Sequence, residues 1–243
     1  MMNQRNPAPE GPQRILIIDA GGSHIKLILT GMKDRVKFQS GRSFTPRQLI
    51  AGIRKHTAGW DFDAVSLGLP IPIVNNKPVR EPNNLGRGWL RFDFPAAFGK
   101  PVKLINDAAM QALGSYEGGR MLFIGLGTGL GSAMILDNIV IPLELSEMTY
   151  APRRTFEHMV GREGRKRLGD KKWEAAVHHI VAVLRAAFVT DYIVIGGGNA
   201  RRLERLPKGA RLGNNRNAFL GGLRLWGQSP GPTGAKSRTL VIC

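Results

Sequence analysis

Two stretches of the chain, RILIIDAGGSHIKLILTG (residues 14–31) and RMLFIGLGTGLGSAMILDN (residues 120–138), share one plan. Each runs from an arginine through four apolar residues into a glycine-bearing turn. A second apolar strand and a polar turn follow. Arg14 and Arg120 stand 106 positions apart. Solenoid repeats are much shorter, so this spacing points to a duplicated domain, each half opening on a glycine-tipped hairpin. Mixed strands and helices in two similar halves predict a two-domain α/β protein with a cleft between the halves.

The rest of the chain supplies the other elements. VKFQS reads as a third strand of the first half. TPRQLIAGIRKHTA reads as a helix, with Thr45 as its cap and Pro46 at the first helical position. AVSLGLPIPIV is strand-like until its prolines interrupt it, and VKLI (102–105) reads as a buried strand that hands over to a helix, DAAMQALGSY. In the second half, Trp173, Val177, Val181, Leu184 and Phe188 recur at helical spacing. DYIVIGGGNARRLERL reads as strand, glycine turn and helix. GQSPGPTGAKSRTLVIC closes the sequence as a flexible tail.

At 243 residues and 42% hydrophobic, the chain can bury a sizeable core. Its net charge is +17, and residues 151–216 carry 15 Lys and Arg against 6 Asp and Glu. Arg162, Arg165 and Lys166 would share one helix face. Such a field favours polyanions: nucleic acid, an anionic membrane surface or a phosphate chain. A solvated basic surface with no dedicated partner is the alternative. The sole cysteine, Cys243, leaves no cysteine-based zinc site and no disulfide within the chain. The opening residues lack the apolar stretch of a signal peptide, and no run is long enough to span a membrane, so a cytoplasmic protein is expected.

Neither glycine turn fits the common nucleotide fingerprints, which lead into helices. Here both lead into strands, IKLIL and SAMIL. A pair of hairpin tips facing a cleft could instead cradle phosphates with backbone N–H groups. Tight hairpins with no ligand are the plain alternative. Asp107 follows the run VKLIN and begins a helix. It reads either as a helix cap or as a general base that takes a proton from an attacking hydroxyl, with Asn106 beside it to orient that hydroxyl. EPNNLGRGW adds amides and Trp89, an aromatic that suits either a sugar face or the core. His178 and His179 lack a metal partner at i+4 and read as surface or packing residues.

In this order, IDAGGSHIK, LINDA, IGLGTGLGSAMI and DYIVIGGGNA resemble the motifs of the ROK family of sugar kinases, over about residues 14–226. NNLGRGW and GNNRNAFLGGL are similar to the polyphosphate glucokinase branch. The resemblance implies an α/β, two-domain, actin-like ATPase (sugar kinase/ribonuclease H-like) fold with an inter-domain cleft. A smaller domain (14–107) and a larger one (108–226) would lie between a flexible segment (1–13) and a flexible basic tail (227–243). The implied activity is phosphoryl transfer from polyphosphate or ATP to the 6-hydroxyl of glucose or a related hexose. Asp107 would be the base, and Asn84, Asn106, Glu144 and Glu147 would line the sugar end. Asp19 would position Mg²⁺ through water. Gly21, Gly22, Ser23, Lys26, Gly127, Thr128 and Gly129 would hold donor phosphates. Gly196, Gly197 and Gly198 would approach the nucleotide or phosphate chain.

The sequence departs from the family at one place. Where the family reads E-L-G-H, this chain has Glu144-Leu145-Ser146-Glu147. An ionised carboxylate there only accepts hydrogen bonds, whereas the family's histidine can donate to sugar hydroxyls. A second carboxylate beside Glu144 is expected to raise the pKa of one of the pair. Two alternatives stay open on this account: an enzyme acting on another polyol, and a non-catalytic sugar or polyphosphate sensor. The family's zinc motif is absent, so no structural zinc is expected. Membranes and nucleic acid are not expected partners, since the family's repressors carry an added helix-turn-helix that 13 leading residues cannot hold. A homodimer is left open.

Overall fold

The computed structural model describes residues 12–214, 216–227 and 241–242. The first half runs β1 (Ile15–Ala20), β2 (His24–Leu29), β3 (Val36–Gln39), α1 (Pro46–His56), β4 (Ala64–Leu69), a small hairpin of β5 (Ile73–Val74) and β6 (Lys77–Pro78), α2 (Phe94–Phe98) and β7 (Val102–Asn106). The second begins with α3 (Asp107–Ser115), β8 (Arg120–Leu126), β9 (Leu130–Leu136) and β10 (Ile139–Leu143). It continues through β11 (Thr149–Ala151), β12 (Arg154–Thr155), α4 (Phe156–Val160), α5 (Arg162–Phe188), β13 (Tyr192–Gly196), β14 (Ala210–Leu212), α6 (Asn217–Arg224) and β15 (Val241–Ile242). Most of the expected N-terminal segment and basic tail lies outside the described residues.

The 106-residue repeat is a repeat of topology. The first sheet is ordered β3-β2-β1-β4-β7, with β1–β2 and β2–β3 antiparallel and β1–β4 and β4–β7 parallel. The second contains the same series as β10-β9-β8-β13-β14, with the same directions, and β15 added beside β10. Short β hairpins make the antiparallel half of each sheet, and longer crossovers make the parallel half. β1 and β4 are buried along all six residues, as strands covered on both faces must be.

What covers their inner face is a layer of two helices. Ile15 and Ile17 of β1, Ala109 and Leu113 of α3, Met121 and Phe123 of β8, and Phe219 of α6 belong to one apolar core between the sheets. α3 and α6 cross at glycines: a Cβ added to Gly114 would overlap the Asn217 carbonyl oxygen, and one added to Gly221 would overlap that of Met110. Beyond α6, the Ser66 hydroxyl donates to Gly222 O at 2.7 Å, and Trp226 Nε1 donates to Ser66 Oγ at 2.9 Å. The last described helix is thus bolted onto strands of the first half. Separate cores under α1 and α5 close the outer faces of the two sheets.

α1 starts as its sequence predicts, with Thr45 accepting from Gln48 N in a capping box and Pro46 in the first turn. Two expectations differ. The helix expected after β13 is a single 3-10 turn, Ala200–Arg202. The Glu174 carboxylate accepts from the backbone N–H groups of Glu204 and Arg205 at 3.0 Å each, which holds that segment out of a helix. The long helix starts at Arg162 and breaks at Gly169, whose φ of 73° is left-handed. Arg165 and Lys166 fall in its first part, ion-paired with Asp170 and Glu163. No helix among the described residues is long and apolar enough to cross a membrane.

Candidate active site

The strand order sets the tips of β1–β2 and β8–β9 on either side of a cleft of about 490 Å³, with the N-terminus of α3 in its wall. Every residue that the resemblance assigned to catalysis, sugar or phosphate lines it except Gly196. Gly196 ends β13 beneath the surface, where a Cβ would meet the Phe123 ring at 2.6 Å, so its role is packing. Gly197 and Gly198 do line the cleft, and Gly197 (φ +84°) passes so close to the Leu126 backbone that no side chain fits.

Asp19 is the last but one residue of β1 and is 3% exposed. Cross-strand register sets Lys26 opposite it, and Lys26 Nζ lies 2.6 Å from Asp19 Oδ2. The ammonium expected to face phosphates therefore also compensates a buried carboxylate. The turn after Asp19 closes through Gly21 N donating to His24 O at 3.0 Å. Gly22 is required by the loop beyond: an added Cβ would stand 2.6 Å from Asn84 Nδ2. Asn84 packs on the tip, its Oδ1 buried without a hydrogen-bond partner among the described residues. Its loop is shaped by Glu81, whose carboxylate accepts from the N–H groups of Gly88, Trp89 and Leu90. Trp89 is fully buried and belongs to the core.

The second tip is braced from below. Gly127 N donates to Gly129 O at 3.0 Å, Asn199 Nδ2 to Gly127 O at 3.0 Å and Arg162 N to Thr128 O at 3.1 Å. Glu157 of α4 accepts from Leu130 N at 3.1 Å. Glu157, Arg162 and Asn199 all line the cleft. Arg162 belongs to the basic helix face and Asn199 to the run DYIVIGGGNA, whereas no motif in the sequence marked Glu157. The capping box of α4, Thr155 with His158, was the one local signal that a helix begins there.

Asn106, not Asp107, caps α3. Asn106 Oδ1 accepts from Ala108 N at 3.0 Å and Ala109 N at 3.1 Å, and Nδ2 donates to Ile71 O at 3.3 Å. The cap reading of Asp107 is thus corrected. Asn106 already satisfies the first free N–H groups, which leaves only one Nδ2 hydrogen of its amide for a ligand. Asp107, partly buried in the first turn, accepts from Ala108 N at 2.8 Å. Burial above all, then the neighbouring Asp19 charge, pushes its carboxyl up to about 7, against the opposing Ala108 N–H and Lys26.

Glu144 closes the cleft from the second half. Its Oε2 lies 2.9 Å from Arg80 of the first half, an ion pair that spans the opening. Burial raises the Glu144 pKa, Arg80 opposes this, and Glu147 and Glu157 add to it. The expected effect of a second carboxylate is present but secondary. Ser146 is buried, whereas Glu147 is exposed. Water can solvate the Glu147 charge, so the mismatch expected of a buried acceptor is reduced.

Comparisons with known proteins bear on the fold and the resemblance. No protein-family model matches the chain. The polyphosphate glucokinase of Mycobacterium tuberculosis (strain CDC 1551 / Oshkosh) is 25% identical over 219 residues, 77% of this chain and 78% of that protein. The glucokinase of Pyrobaculum calidifontis is 28% identical over 134 residues, 53% of this chain and 41% of that protein. Among solved structures, the inorganic polyphosphate/ATP-glucomannokinase of Arthrobacter sp. strain KM superposes with a TM-score of 0.73 at 22% identity, covering 87% of this chain and 96% of the other. A ROK family glucokinase from Streptomyces griseus, solved with glucose and AMPPNP, gives 0.69 at 16% identity, covering 89% and 99%. The resemblance to ROK sugar kinases and their polyphosphate glucokinase branch is borne out, and the chain has their actin-like ATPase fold.

Proposed function

We propose that this protein is a hexose kinase, transferring a phosphoryl group from polyphosphate or ATP to the 6-hydroxyl of glucose or a related sugar. The observation that carries the reading is Asp107, a carboxyl group held near neutrality in the wall of a cleft with a glycine tip from each half of the chain. A general base works best when its pKa lies near the working pH. Asp107 takes the proton of the sugar hydroxyl as that oxygen forms its bond to the terminal phosphorus. The bridging P–O bond breaks, leaving ADP or a polyphosphate one unit shorter, and Asp107 then returns its proton to solvent. Asn84, Asn106 and Glu144 line the sugar end and orient the sugar, with Glu147 at its solvent-exposed rim.

Donor phosphates fall to the tips at residues 21–23 and 127–129, with Lys26 beside the first, and to Gly197 and Gly198. A magnesium ion fits this donor set in one limited way. No cluster of three ligating side chains is present among the described residues, so the protein offers Asp19 while the donor phosphates and water supply the rest. Held there, such an ion would supply positive charge against the donor phosphates. The kinases among the similar proteins support both the sugar and the donors, and they favour catalysis over a sensor.

The test is sugar phosphate formation with glucose and a panel of hexoses, each with ATP or polyphosphate and Mg²⁺. Turnover of glucose is the expected result, and no turnover with any pair overturns the reading. A net charge of +17 and Arg162 in the cleft wall favour the long donor. Each displaced counterion steepens salt dependence, so the KM for polyphosphate should rise more steeply with KCl than that for ATP. Equal slopes would remove polyphosphate as the preferred donor.

Glu147→His is expected to change the glucose KM by less than about threefold, because an exposed carboxylate is solvated rather than mismatched. A tenfold fall in KM would show instead that Glu147 obstructs the sugar.

A further inference from the structure

The second lobe carries another groove, of about 590 Å³, at the end of the sheet away from the cleft. Arg120 begins β8, Thr190 precedes β13 and Lys208 precedes β14, and all three line it. The cleft lies at the other ends of β8 and β13, about 20 Å away along strands that rise about 3.3 Å per residue. Val181, Ala182 and Ala186 of α5, with Pro207, give the groove an apolar wall.

Its polar groups are all donors or cations: Arg120, His178, Arg185, Thr190 and Lys208, with no Asp or Glu in the lining. Arg120 is held by Asp191 at 2.8 Å, and His178 meets the Arg205 carbonyl at 3.1 Å with Glu174 3.7 Å away. Two charges stay available. Arg185 lies over Gly209 and donates to the Lys208 carbonyl at a long 3.5 Å, with no carboxylate partner among the described residues. The Lys208 ammonium is exposed and has no carboxylate partner among the described residues. Thr190, 8% exposed, lines the same groove, and its Oγ1 is buried without a hydrogen-bond partner among the described residues. Native structures satisfy nearly all buried hydroxyls, so an orphan in a groove wall marks a place where something outside the protein completes it.

We propose that this groove is a second ligand site, taking a small amphiphilic anion: a phosphate or carboxylate head on an apolar body. The head meets Lys208, Arg185 and the Thr190 hydroxyl, and the body lies on the α5 and Pro207 wall. The volume suits a small molecule, and the apolar lining with few convergent polar groups is what such sites have. Sugars and bare polyols do not fit a wall of that kind. The site is independent of the chemistry in the cleft.

Isothermal titration of the full chain with phenyl phosphate tests it, with octanoate and inorganic phosphate as comparison probes. One saturable site is expected for phenyl phosphate and for octanoate, with inorganic phosphate at least tenfold weaker. Lys208→Ala and Arg185→Gln should each weaken phenyl phosphate about tenfold, as loss of a charge-assisted hydrogen bond does. Thr190→Val keeps the volume and removes the orphan hydroxyl. It should weaken binding several-fold while leaving the melting temperature unchanged or raised. A purely structural hydroxyl would do the reverse, lowering the melting temperature without touching affinity, and that result overturns the proposal. So does phenyl phosphate binding that all three substitutions leave intact, which would put the probe in the cleft. Inorganic phosphate binding as tightly as phenyl phosphate would reduce the groove to a bare charged patch, and absence of saturable binding would remove it.

Discussion

Asp107→Asn is expected to lower kcat by about 10²–10⁴-fold while the fold survives, since general-base removal costs that much. The asparagine Oδ1 can still accept from Ala108 N, and Asn106 still caps α3, so no backbone group is orphaned. The same variant carries a stability signature with a definite sign. Folding raises the Asp107 pKa from its usual 3.8 to about 7, so the folded state holds a proton that the unfolded chain releases. The contribution of the group is therefore fully present below about pH 4 and is lost as pH rises through 7. Asparagine does not ionise. Urea unfolding of the variant should match wild type near pH 4 and exceed it at pH 8 by on the order of 2–4 kcal/mol. Identical pH profiles for the two proteins would show that Asp107 is not held near neutrality, and near-normal turnover would remove it as the base.

Gly114→Ala is expected to give the largest loss of stability, about 3–5 kcal/mol, or a fall of about 10 °C in melting temperature. The added methyl overlaps the Asn217 carbonyl oxygen and crowds Gly221 N at 2.8 Å, and both are backbone. A side chain could swing aside, but here one helix must move away from the other. α3 carries Asp107 at its first residue, and α6 packs its Gly222 against Ile17 of β1, the strand that ends beside Asp19. Separating α3 from α6 thus shifts the two carboxylates relative to each other. Thermal unfolding followed by circular dichroism checks the first effect. An unchanged melting temperature would mean that the helices do not cross at these glycines.

Local chemistry made part of the site legible. A glycine pair after an apolar run, or an Asn-Asp pair between a strand and a helix, is a signal carried within ten residues. Asp19, Asp107 and both tips were found that way. The residues that escaped carry no such signal. Arg80 and Glu157 reach the cleft from separate segments, each joined to Glu144 or to a tip only in space. The helix expected after β13 failed for a related reason. Its residues suit a helix, but Glu174, some thirty positions earlier, claims the N–H groups a helix would use.

The sequence by itself determined the duplicated sheet, the two tips and the carboxylates at the strand ends, because those follow from apolar periodicity and from where glycine and aspartate interrupt it. Only the tertiary structure decided the order of strands, the helix pair between the sheets, and which amide caps α3. It also decided that the Asp107 pKa is raised, since a pKa answers to burial and to charges such as Asp19, 88 positions away in sequence and brought close by the fold.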